Sequence, residues 1–154
     1  MMNAYEALLD EACDIGFEVK EKPLRFNNGR IKGNRIAIRQ DIDTTTEKGY
    51  VLAEELGHYY TSVGNIIDMD SSSNRKQERQ ARLWAYNKQI GLKGLIRAYE
   101  HGCTASHEIA EYLDVTEEAL QECIEFYRDK YGEYKTVEHY IIFFIPHLAV
   151  LKKI

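Results

Sequence analysis

The chain has 154 residues, 44% of them hydrophobic and 29% charged, the size and balance of one globular domain with one core. Its three cysteines, Cys13, Cys103 and Cys123, lie far apart with no CxxC spacing, which argues against a secreted disulfide framework and predicts reduced, mostly buried thiols. No basic start with an apolar stretch and cleavage site marks the N-terminus for export, so the expected location is cytoplasmic. The net charge of -5 conceals a polarity, with +6 over Arg75 to Arg97 and -6 over Thr104 to Lys130. Charge runs of this kind are solvated faces or docking surfaces.

In chain order, Ala4, Leu8, Ala12 and Ile15 recur at helical spacing with Tyr5 and Leu9 beside them, and Gly16 follows as a stop. Phe17 and Val19 then alternate with polar residues. Arg30 to Lys32 and Arg35 to Arg39 flank Gly33-Asn34, the chemistry of a tight hairpin, so a small antiparallel sheet is predicted. Thr44 with Glu47 three residues on fits a capping box, and Val51, Leu52, Leu56 and Tyr59 continue a second helix. Ser71 to Asn74 reads as a polar loop, with a third helix from about Asn74 to Gln89 and an interruption at Gly91 and Gly94. From Thr104 the pattern is a short helix to Tyr112, a turn at Leu113 to Val115, and a helix from Thr116 to Tyr131 ending at Gly132, which resembles a helix-turn-helix unit. The apolar run from Tyr140 to Leu151 contains Pro146 and His147 and falls short of the roughly 20 residues a spanning helix needs. It reads as a buried strand or short helix, not a membrane anchor. The fold class expected is α+β, mainly helical, as a single domain: a metal-site part over about 3–90, a helical part over 91–132 and an apolar tail over 133–154.

The chemistry concentrates in the second helix. Residues four apart share a helix face, so Glu54 and His58 can aim two ligands at one ion, while Glu55 projects about 100° away. That is the geometry of HExxH, in which two His hold zinc and the intervening Glu serves as general base. Here the first His is Glu54, whose carboxylate suits zinc and, better, harder ions such as Mn²⁺. Glu78, the sole acid on the basic third helix, is the candidate third ligand. Ala81 and Ala85 share its face and, with Gly57 opposite, would let the two helices approach closely. The other reading of Glu78 is an exposed ion pair with Arg82, worth about 0.3 to 0.5 kcal/mol.

Ile36-Ala37-Ile38, the run Val51 to Thr61 with Glu54-Glu55-Leu56-Gly57-His58, and Glu78-Arg79-Gln80-Ala81 together resemble the ImmA/IrrE metallo-endopeptidases of bacteria, phages and mobile elements. The resemblance extends through Trp84-Ala85-Tyr86 to Gly132. It implies a zincin-like fold, Zn²⁺ as cofactor, His58 and Glu78 as ligands, Glu55 as base, and a protein substrate, a helix-turn-helix repressor. Glu54 departs from the family pattern. One His and two carboxylates leave a divalent site formally neutral instead of +1, which weakens its effect on a bound water.

Three other patterns compete. His107, Glu108 and Glu111 form a near match without a third ligand, and Ile109, Ala110 and Leu113 make their helix scaffold. A DNA-binding regulator built on the helix-turn-helix pattern would have to approach phosphates with Glu117, Glu118, Glu122 and Glu125, so direct DNA binding is not expected. A non-catalytic module would keep the fold and bind a repressor or other partner without cutting it.

Overall fold

The computed structural model describes residues 2–62 and 71–154, with side chains in the third helix from Arg75 onward. The chain is α+β and mainly helical, and it gathers into two compact units, 1–85 and 86–154.

The first unit opens with α1 (Ala4–Asp14), capped by Asn3, whose side chain accepts the Glu6 N–H while the Glu6 carboxylate accepts the Asn3 N–H. A three-stranded sheet follows, made of β1 (Glu18–Lys22), β2 (Gly29–Lys32) and β3 (Arg35–Arg39) in the order β1-β3-β2. The hairpin expected at Gly33-Asn34 forms, with Gly33 at a φ of +59° and β2 antiparallel to β3. β1 instead runs parallel to β3, so the sheet is mixed, and β2 lies at an edge. Turn chemistry specifies the local hairpin; the pairing of β1 is set by the distant alternation of Ile36 and Ile38.

The next helix, α2 (Thr45–Thr61), starts where Thr44 accepts the Glu47 N–H. Its Leu52, Ala53 and Leu56 are buried with Tyr5, Leu8 and Ala12 of α1, Phe17, and Ile36 and Ile38 of β3. Lys48 completes this packing by reaching the Glu21 carboxylate at 2.7 Å, which also accepts the Tyr5 hydroxyl at 2.9 Å. The Lys48 ammonium thereby holds the Glu21 carboxyl below its ordinary range.

The third helix, α3 (Ser71–Gln89), takes in the stretch from Ser71 to Asn74 expected as a polar loop, ahead of the start expected near Asn74. Ser and Asn are tolerated in a first helical turn, whose N–H groups lack intrahelical acceptors, and the side chains of residues 71–74 lie outside those described. Gly57 of α2 meets Ala81 of α3 so closely that a Cβ at Gly57 would lie 3.1 Å from the Ala81 Cα and collide with its carbonyl oxygen. Tyr60 stacks on Trp84 at 4.9 Å between ring centroids and ties the same two helices.

In the second unit, α4 (Gly91–Glu100) starts at Gly91, whose φ of +65° breaks the chain from α3. Gly94 does not interrupt the helix as its type suggested; it is buried within α4, facing Leu113. The helix-turn-helix spacing is realised as α5 (Ser106–Leu113), a left-handed Asp114 and α6 (Glu117–Tyr131), with Gly132 at the C-cap. The apolar tail forms strands, β4 (Tyr134–Val137), β5 (Tyr140–Phe143) and β6 (Ala149–Lys152), paired antiparallel in that order. Ile142 and Phe144 are fully buried, and Phe144 lies against Tyr127 and Tyr131. Among the described residues no helix is long and apolar enough to cross a membrane. The cysteines depart from the expectation of mostly buried thiols. Cys123 is buried, its thiol pushed up to about 12 by burial, whereas Cys13 is exposed and Cys103 is half-buried, because Cys13 faces away from the Leu8 and Ala12 side of α1.

Two substitutions test this packing. Gly57→Ala should cost about 1–3 kcal/mol in denaturant unfolding, since backbone and not a flexible side chain must yield, and an unchanged midpoint would contradict the close contact. Phe144→Ala should cost about 3–5 kcal/mol, and a loss too small to measure would show that the tail is not part of the core.

Candidate metal centre

Glu54 and His58 sit one turn apart on α2, and Glu78 faces them from α3. One ligand atom from each of the three lies within 4.8 Å of the others. Among the described residues this is the one group of three or more His, Cys, Asp or Glu side chains so arranged. His58 Nε2 is 3.2 Å from Glu78 Oε1. Bonds of about 2.0–2.2 Å to a tetrahedral divalent ion set its ligand atoms roughly 3.3–3.6 Å apart, so ligand atoms within 4.8 Å of one another would draw together by up to about 1.2 Å to hold such an ion. The donor set of one imidazole and two carboxylates also suits it. Glu78 is half exposed while Glu54 and His58 are mostly covered, which leaves the cluster open on one side.

The Gly57 contact explains the convergence. With no side chain at that position, α3 comes near enough for a glutamate one turn before Ala81 to reach the imidazole one residue after Gly57. The pairing of Tyr60 with Trp84 and the bond from Thr61 Oγ1 to the Gly57 carbonyl at 2.7 Å hold the C-terminal turn of α2 in place.

The acids are crowded. Burial pushes the Glu54 carboxyl up, with Arg82 opposing and Glu78 reinforcing the shift. Burial, with the charges of Glu54 and Glu78, pushes Glu55 up to about 7. Glu55 points off the ligand face as expected from its helical phase, toward β2. A Cβ at Gly29 would fall 3.0 Å from Glu55 Cγ and 2.7 Å from Val51 Cγ1, so this strand's backbone lies directly against Glu55.

All three expected ligands are therefore brought together. Sequence reasoning offered Arg82 as a partner for Glu78 and did not foresee its place beside Glu54, where its Nε lies 3.7 Å from Oε1. It also missed Gly29, a glycine opening a strand, which often marks a close backbone approach. His107, Glu108 and Glu111 remain scaffold: Glu108 caps α5, accepting the Ala105 N–H at 2.9 Å and the Thr104 hydroxyl at 3.0 Å. His101 stacks on Tyr112. The acids Glu117, Glu118, Glu122 and Glu125 of α6 are exposed as the charge pattern suggested.

Neither a curated protein nor a solved structure matches the chain. Residues 15–125 do match the peptidase M78 family, described as the IrrE N-terminal-like domain, a span that takes in α2, α3 and every residue of the cluster. The chain belongs to this metallopeptidase family, and the family implies a divalent metal.

Proposed function

We propose that the chain is a zinc- or manganese-dependent endopeptidase of the cytoplasm, acting on a protein substrate of the helix-turn-helix repressor class. The observation that carries the metal-dependent reading is the convergence of Glu54, His58 and Glu78. Family membership supports peptide hydrolysis, and the repressor substrate follows from the ImmA/IrrE resemblance alone. In this reading Glu54, His58 and Glu78 hold the ion. When bound, it supplies Lewis-acid polarisation of the scissile carbonyl and acidifies water.

The chain's own residues do the rest. Glu55 lies beside the ligands without being needed as one, so it is placed to take a proton from the attacking water and deliver it to the leaving amine. The edge strand β2, with Gly29 against Glu55, offers backbone groups along its free side to an extended peptide. A substrate added there would run past the carboxylate.

Arg82 beside Glu54 favours a second reading. A guanidinium can compensate a buried carboxylate without any ion, as a module that binds a partner without cutting it would need. Metal analysis separates the two. The proposed enzyme retains one divalent ion per chain, whereas a protein that takes up none after adding Zn²⁺ or Mn²⁺ is the binding module.

Variants then assign the roles. Glu55→Gln should keep the ion and reduce hydrolysis by about 10²- to 10⁴-fold, the usual contribution of a general base. Glu78→Ala should lose the ion. Glu54→His restores a second neutral ligand and a formal +1 site, so zinc affinity and hydrolysis should both rise. Unchanged zinc affinity in Glu54→His would remove Glu54 from the ligand set.

A further inference from the structure

We propose that the outward face of the first sheet selects extended segments carrying acidic residues at alternating positions, by pairing them with Arg30 and Lys32 of β2. Naming such a segment as substrate rests on the peptidase reading above; the recognition itself does not.

The strand period puts the charges on one face. Ile31 of β2 and Ile36 and Ile38 of β3 turn inward to the core, so Arg30, Lys32, Arg35 and Ala37 turn outward. Across the sheet Arg30 is level with Ala37, which is level with Lys20, and Lys32 is level with Arg35, which is level with Glu18. The small Ala37 in the middle strand leaves a concavity of 270 Å³, walled by Lys20, Lys22, Arg30, Lys32 and Arg35.

The acids within reach are already committed. Glu18 lies 3.0 Å from Lys20 and 3.9 Å from Arg35, and Asp41 lies 2.6 Å from Arg39. No salt bridge joins Lys22, Arg30 or Lys32 to a carboxylate among the described residues. Like charges on neighbouring strands repel. A chain of net charge -5 that gathers cations on one face has therefore arranged that face against its overall balance.

Lysine on an edge strand also discourages unwanted pairing, and the same cations admit a guest strand whose outward side chains are acidic. A peptide added to β2 continues the pleat, and its outward side chains stand beside Arg30 and Lys32. Both strands repeat at about 6.6–6.8 Å per two residues, so acids at positions i and i+2 meet both cations in register. Nucleic acid is the other polyanion to consider. None of the residues lining the concavity is aromatic, so the face has no platform for stacking bases.

The test uses the full-length protein carrying Glu55→Gln and loaded with Zn²⁺, so that a bound peptide is not cut. Fluorescence anisotropy compares a labelled peptide alternating Thr and Glu with its twin alternating Thr and Gln. The Glu peptide should bind about 10-fold more tightly, the combined effect of two cross-strand ion pairs. Added Arg30→Gln and Lys32→Gln should erase the difference, and Arg30→Glu with Lys32→Glu should reverse it toward a Lys twin. Both positions are exposed, and unaltered circular dichroism confirms that each variant is folded.

Equal binding of the two peptides, binding of neither, or a preference that survives charge reversal would overturn the proposal. So would a random DNA duplex that displaces the Glu peptide and binds more tightly through the same two residues, which would assign the face to nucleic acid. Hydrolysis of a mixed peptide library by the unmodified protein is read separately. Cleavage with no acidic preference overturns the selectivity and keeps the peptidase. Acid-selective binding without any cleavage keeps the recognition face and overturns the peptidase.

Discussion

The missing Cβ at Gly57 sets how near α3 comes to α2, and the candidate metal centre depends on that approach. Any side chain there would strike the Ala81 backbone, pushing away the helix that supplies Glu78. The cluster is thus a consequence of packing: two helices of one unit, tied by Gly57 on Ala81 and Tyr60 on Trp84, bring an imidazole and two carboxylates to one point. The helix that carries Glu54 and His58 is fixed in turn by Leu52, Ala53 and Leu56 in the core and by Lys48 on Glu21.

Electrostatics gives that arrangement a purpose. Glu54, Glu55 and Glu78 crowd together partly out of water, and burial with mutual repulsion raises the first two. Such a group is relieved by a positive charge, and Arg82 supplies one from the Glu54 side. A divalent ion held by Glu54, His58 and Glu78 would supply a larger one. A carboxylate in place of a neutral imidazole at position 54 leaves the filled site formally neutral, which lessens the acidity that the cation can impart to water.

Much of this was legible in the sequence because it is local or periodic. Glu54 and His58 share a face by the arithmetic of the helix, Ala81 and Ala85 mark a close approach by their size, and Gly33-Asn34 announces its own turn. The helix-turn-helix spacing after Thr104 was likewise realised by α5 and α6. What escaped is non-local. The parallel partner of β1, the contact of Gly29 with Glu55 and the placing of Arg82 at Glu54 depend on residues distant in sequence. The tail was ambiguous because a short apolar run carries no period to separate strand from helix, and it resolved into paired strands around Ile142 and Phe144. Gly94 was misread because glycine type alone does not separate a helix break from a site that must leave room for a neighbour, here Leu113.

The most direct measurement is anomalous X-ray diffraction from crystals of the protein grown with Zn²⁺ and collected on both sides of the zinc absorption edge. The account predicts one strong anomalous peak bonded to Glu54, His58 and Glu78, with Glu55 adjacent but unbonded. A crystal with no peak there, with Arg82 closed over Glu54 and His58 turned from Glu78, would contradict it.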